Sequence, residues 1–124
     1  MHGVAFRFFL SAALYVFAGM LLGLHMAAAG DHSLAPVHAH LNLAGWTSMA
    51  LFGLYYHSVP AAAETRLARV HFWIATIGLW MFVPGIAIAQ SGATELPAIA
   101  GSFVVLASMT LFIWIVWETA RRPA

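Results

Sequence analysis

Seven histidines stand in a chain of 124 residues that is 63% hydrophobic and only 7% charged. An ionisable side chain is costly in so apolar a setting and usually faces a partner or a cavity. His25, His32, His38 and His40 gather in one stretch, and His57 and His71 in another, while His2 sits in the N-terminal segment and carries no assigned role. Imidazole with neither thiolate nor clustered carboxylate suits iron in a porphyrin, copper or zinc. There is no cysteine, which removes thiolate metal sites, disulfides and covalent attachment of a c-type heme.

The spacing narrows the geometry. Two residues on a regular helix differ by about 200°, so His38 and His40 point to nearly opposite faces and cannot chelate one ion together. His38 shares its face with Asn42, Gly45 and Met49, and His40 with Ala44, Thr47 and Leu51. His71 heads a stripe through Gly78 and Gly85 that suits either a macrocycle or a close helix contact. A bare zinc ion needs about three or four converging ligands. A heme needs one or two axial histidines and a large apolar pocket, which a four-helix bundle can offer. For any single histidine, an interfacial or hydrogen-bonded side chain remains the plainer alternative.

Four stretches must position these residues. A hydrocarbon core of roughly 30 Å needs about 20 mostly apolar residues per helical crossing, and such runs are read at 8–28, 36–58, 67–89 and 97–119. Backbone polar groups in lipid must be satisfied internally, and runs this long favour helices over barrel strands. The expectation is one domain over residues 1–124: an all-α, integral membrane four-helix up-down bundle. Arg7, Arg66, Arg69, Arg121 and Arg122 are the only basic residues, and four spans put them all on one side. By the positive-inside rule both termini are cytoplasmic, in a bacterial-type inner membrane, with Asp31 and Glu95 on the opposite face. A net charge of +1 without a basic patch argues against nucleic acid.

Local signals refine this outline. Arg7, the apolar run after it and Ala27-Ala28-Ala29 are patterned like a signal peptide, but the run is longer than a usual signal core, so a retained first span is expected. Gly19 and Gly23 have GxxxG spacing and read as simple helix packing. Ser33 is expected to cap the second helix, with Pro36 in its first turn and Pro97 in the same place in the fourth. Pro84-Gly85 is expected to kink the third helix and open space. Trp114 and Trp117 read as interfacial anchors, and no chemistry is assigned to the fourth helix. Asp31, Glu64, Glu95 and Glu118 are scattered near helix ends and read as solvated or capping residues.

The string Pro36-Val37-His38-Ala39-His40-Leu41-Asn42-Leu43-Ala44-Gly45-Trp46, continuing to Tyr55-Tyr56, resembles the catalytic-subunit family of heme-copper oxidases and nitric-oxide reductases, most closely the N-terminal helices of cbb-type oxidases. The likeness extends through Arg69-Val70-His71-Phe72-Trp73, over roughly residues 12–90. In that family a histidine near the start of the second helix is an axial ligand of the low-spin heme. The resemblance therefore implies heme b held by His38, with His40 the alternate and His25 or Met26 a candidate opposite ligand. The family's other heme ligands and its copper histidines lie on later helices, which have no counterpart here.

The resulting expectation is a heme b-binding integral membrane protein that transfers electrons with a respiratory-chain donor or acceptor, as a homo-oligomer in the lipid bilayer. Asn42 or Thr47 would tune the ligand through hydrogen bonds. His57 and His71 are the residues for a second site. The alternative is a non-catalytic module that binds copper through the outer His and Met residues or assists assembly of a respiratory complex. Without a second-metal site, the isolated chain is not expected to reduce oxygen or nitric oxide.

Overall fold

The first helix, α1 (Gly3–Ala29), runs 27 residues without a proline and stops where Gly30 turns left-handed at φ 63°. A left-handed residue after the last turn is the common way to end a helix, and glycine adopts it without a Cβ clash. The computed structural model describes residues 1–121, so Arg122 lies outside the described residues. Every regular element among them is helical. Three helices are long and apolar enough to cross a membrane: α1, Arg66–Gln90 and Leu96–Ala120.

Between the first two of these, Ala35 to Ser58 is helical throughout but is not the regular helix expected for 36–58. It begins as α2 (Ala35–His40), widens into a π segment (Leu41–Ser48) and returns to α-helix in α3 (Met49–Ser58). The wide turns are held from within. The Thr47 hydroxyl donates to the Asn42 carbonyl (3.3 Å) and the Ser48 hydroxyl to the Leu43 carbonyl (3.0 Å), each reaching five residues back. Such π-bulges commonly occur at functional sites. Ser33 does not cap this run. Leu34 holds the cap position without a side-chain bond, and the Ser33 N–H instead donates to the Asp31 carboxylate (2.9 Å).

A short turn, α4 (Pro60–Ala63), leads to α5 (Arg66–Gln90). Thr65 caps α5: its hydroxyl oxygen accepts the Ala68 N–H (3.1 Å) while its hydroxyl donates to the Ala62 carbonyl (2.8 Å). The last helix, α6 (Leu96–Ala120), carries Pro97 in its first turn, as expected. Trp117 sits 5.3 Å from Trp114 and lies under the Arg121 guanidinium.

Helix α5 packs along α6 through glycines. A Cβ on Gly85 would stand 2.5–2.8 Å from the backbone of Pro97 and Ala98, and one on Gly78 about 3.0 Å from Val105 N. Gly101 meets the Phe82 backbone from the other side in the same way. Small residues let helix backbones approach where lipid supplies no hydrophobic drive. The stripe below His71 is thus a helix contact. The main core gathers Phe8, Met49, Phe52, Tyr56, Ala62, Ala68, Phe72 and Ile115, and a smaller cluster gathers Val37, Leu79 and Val83. The outer surface is apolar, with Leu24, Phe103 and Trp80 (66% exposed) among many large side chains turned outward, as contact with a lipid bilayer requires.

Candidate functional site

His38 and Asn42 lie one turn apart at the join of α2 and the π segment, and they meet. The Asn42 side-chain amide donates to His38 Nε2 at 3.1 Å. An Nε2 that accepts places the ring proton on Nδ1. That Nδ1 is buried without a partner, and so is Asn42 Oδ1. A buried unpaired polar atom costs about 1–3 kcal/mol, and this place holds two of them.

The space for this pair comes from α1. A Cβ on Gly23 would press on His38 Cε1 at 3.1 Å, and one on Gly19 would collide with the Asn42 side-chain oxygen. The GxxxG spacing is thus a helix contact, as read, in which the glycines admit two polar side chains of the neighbouring helix. Gly45, one turn further on, lies against Tyr15 in the same manner.

His40 is turned the other way, as the 200° rotation demands. Its Nδ1–H donates to the Pro36 carbonyl at 2.7 Å, and its ring meets Phe82 edge to face at 5.2 Å. A carbonyl only accepts, so the proton is fixed on Nδ1 and Nε2 keeps its lone pair. This is how metal-ligating histidines are commonly oriented.

His25 is exposed near the end of α1, while Met26 beside it is buried. The intervening turn carries Asp31, whose carboxyl is held below the usual range by the Ser33 N–H and hydroxyl, with smaller help from His32 and His25. Gln90, at the end of α5, donates to the Ser33 carbonyl at 2.8 Å and ties this turn to that helix. Among the described residues, no three His, Cys, Asp or Glu side chains converge as a set that could hold a metal ion.

Below the histidines lies an apolar cavity of about 410 Å³ between α1, the π segment and α5, lined by Tyr15, Leu41, Leu79, Trp80 and Pro84 among others. Pro84, expected to open space in α5, is on its wall. The Trp80 indole donates to the Tyr15 hydroxyl at 3.0 Å, leaving that hydroxyl its own proton to give. No histidine lines the cavity; Leu41, the neighbour of His40, is its link to the pair.

His57 and His71 open onto different surroundings. His57 is exposed and lines a cavity of about 90 Å³ with His2, Tyr56 and Glu64. His71 is fully enclosed, its Nδ1 hydrogen-bonded with the Tyr56 hydroxyl at 2.9 Å and its ring in contact with Phe8, Phe52 and Phe112. Sequence reasoning missed Tyr56, Phe112 and the buried Ser108, the last two on the helix to which it assigned no chemistry. Their only signal was helical spacing: Ser108 and Phe112 are four apart, one above the other on α6.

Compared with family models, with curated proteins and with solved structures, the chain matches none.

Proposed function

We infer that the chain is a heme b-binding membrane protein that passes single electrons, with an imidazole of the His38–His40 pair as an axial ligand. The observation that carries this reading is the hydrogen bonding of the pair. His40 has one nitrogen fixed on a backbone carbonyl and the other free to ligate, and His38 would present a lone pair at its unpartnered Nδ1 once the Asn42 amide turns over, so that Asn42 Oδ1 accepts Nε2–H. A porphyrin supplies four donors of its own, so one or two histidines suffice, in keeping with the lack of any converging three-ligand set among the described residues.

His38 is the ligand by its place in the motif that resembles the cbb-type subunits, and His40 is the ligand favoured by tautomer. Asn42 positions the His38 ring through its amide, and Gly19 and Gly23 keep α1 close without occupying the space of either side chain. The cavity walled by Tyr15, Leu41, Trp80 and Pro84 supplies apolar surface one turn deeper. Bound heme would supply a one-electron couple, and the protein would set its potential through axial ligand, burial and hydrogen bonding. His25, Met26 or a second copy of the chain would complete its set of ligands.

The reading includes four crossings. Ala35 to Ser58 is helical without a break and, at about 1.5 Å per residue, long enough to span. With four spans both termini are cytoplasmic, since Arg7, Arg66, Arg69 and Arg121 then share one side of an inner membrane. The test is heme and metal analysis of the purified protein. Iron as extractable heme supports the reading; copper without heme replaces it with the copper-binding alternative, and neither leaves a structural helical subunit.

A further inference from the structure

Tyr15 and Trp80 stand near the middle of the long helices that carry them. Tyr15 follows Gly3 by twelve residues and precedes Ala29 by fourteen, about 18 Å and about 21 Å of α1. Trp80 is similarly central in α5. Both helices are long and apolar enough to cross a membrane, and with a hydrocarbon core of roughly 30 Å the pair lies near the bilayer midplane. Tryptophan ordinarily collects at the interfaces. Here its N–H, without water to bond, is given to the Tyr15 hydroxyl oxygen at 3.0 Å. An indole N–H only donates, so the direction of this bond is fixed. The Tyr15 proton is left over, and among the described residues it has no acceptor.

Both residues line the cavity of about 410 Å³. Ligand pockets typically measure about 300–1,000 Å³ and are mostly apolar with a few placed polar groups. Ser11, one turn before Tyr15 on α1, adds a second hydroxyl to a wall otherwise built of side chains such as Leu41, Leu79 and Pro84. The Tyr15 ring is held at both ends. Its base lies against Gly45 of the π segment, where a Cβ would stand 3.0 Å from Tyr15 Cβ, and its tip is fixed by the Trp80 bond. Leu14 and Trp80, 60% and 66% exposed, open the cavity toward lipid. His38 packs on Gly23, eight residues further along α1, so Tyr15 lies about 12 Å deeper than that histidine.

A hydroxyl proton at this depth finds no acceptor in the lipid itself. The ester oxygens of phospholipids lie at the interfaces, about 15 Å away, and acyl chains carry no oxygen. An occupant must therefore dissolve in hydrocarbon and bring an acceptor with it. A quinone does both, joining carbonyl oxygens to a flat apolar ring. We propose that this cavity binds a lipid-soluble quinone, its ring against Leu41, Leu79 and Pro84 and one carbonyl oxygen accepting from the Tyr15 hydroxyl. Trp80 holds that hydroxyl in place, and the two aromatic side chains give the ring surfaces on which to stack. The heme reading uses this cavity only as apolar surface, and quinone binding stands without it.

The test uses the full chain in lipid nanodiscs, with a short-tailed benzoquinone labelled at its carbonyls and, as control, the alkylbenzene of the same tail, each measured against empty nanodiscs. The wild type should retain the quinone about three- to tenfold better than the alkylbenzene, the worth of one hydrogen bond. The infrared band of one carbonyl should move to lower frequency. Tyr15→Phe alone would release the Trp80 N–H as a substitute donor, so Tyr15→Phe is combined with Trp80→Phe. That double variant keeps aromatic walls and should lose both the preference and the band shift. Ala18→Phe, at an exposed position lining the cavity, fills the space and should bring quinone retention down to that of empty nanodiscs, which keeps the test decisive should the double variant fail to fold. Quinone retained no better than by empty nanodiscs overturns the proposal. So does equal retention of the alkylbenzene, which would make the cavity a groove for acyl chains, or a band shift that survives in the double variant. None of these readings involves heme, so they hold or fail separately from the heme spectrum.

Discussion

Replacing Tyr56 by Phe removes one oxygen from the core and leaves His71 Nδ1 facing aromatic rings without its hydrogen-bond partner. A polar group stranded in this way costs about 1–3 kcal/mol in water-soluble proteins. In a membrane the unfolded reference also finds partners, and measured side-chain bonds average about 0.6 kcal/mol with a maximum near 1.7. Because His71 is fully enclosed, Tyr56→Phe is expected to lose about 1–1.7 kcal/mol, the upper part of the membrane range. Adding His71→Phe removes the stranded group and puts a ring of similar shape in the cage. The double variant should therefore recover most of the loss, because removing both partners of a buried bond can be nearly neutral. The assay is a double-mutant cycle of unfolding in mixed micelles, followed by tryptophan fluorescence. Tyr56→Phe indistinguishable from wild type, or effects that add within about 0.3–0.5 kcal/mol, would refute the pairing.

Three further outcomes are expected. Gly101→Val forces side-chain carbon into the Phe82 and Met81 backbone and should part α5 from α6, at a cost of at least about 1–3 kcal/mol read as a lower melting temperature in detergent. Thr65→Ala removes the α5 cap and should cost about 1 kcal/mol, with Thr65→Ser nearly neutral; equal losses in both would point to packing instead. Asn42→Ala strips His38 of its amide partner and should weaken heme retention about 10–100-fold, the usual range for a residue that orients a ligand. Heme retention unchanged through repeated washing of that variant would remove Asn42 from the site.

Much of the helical outline was legible because long apolar runs leave the backbone few alternatives. The histidine geometry was legible where it depended on rotation alone: the divergence of His38 and His40, and the one-turn approach of Asn42 to His38. The π segment was not, because Thr47 and Ser48 look like any polar residues in a helix and their reach to carbonyls five back follows only from the widened backbone. Gly19 and Gly23 carry the spacing of a packing motif, and nothing local shows that His38 and Asn42 lie opposite. Tyr56 and His71 are joined across the α4 turn, a pairing that depends on how that turn folds back.

The central claim is that the outer histidine pair holds a b-type heme, and the reduced-minus-oxidised absorption spectrum of the purified protein tests it most directly. The account predicts a b-type difference signal in the wild type that is lost or shifted in His38→Ala or His40→Ala, whichever supplies the ligand, while His71→Phe leaves it in place. A wild-type spectrum without a b-type signal, or one that both outer variants leave unchanged, would contradict it.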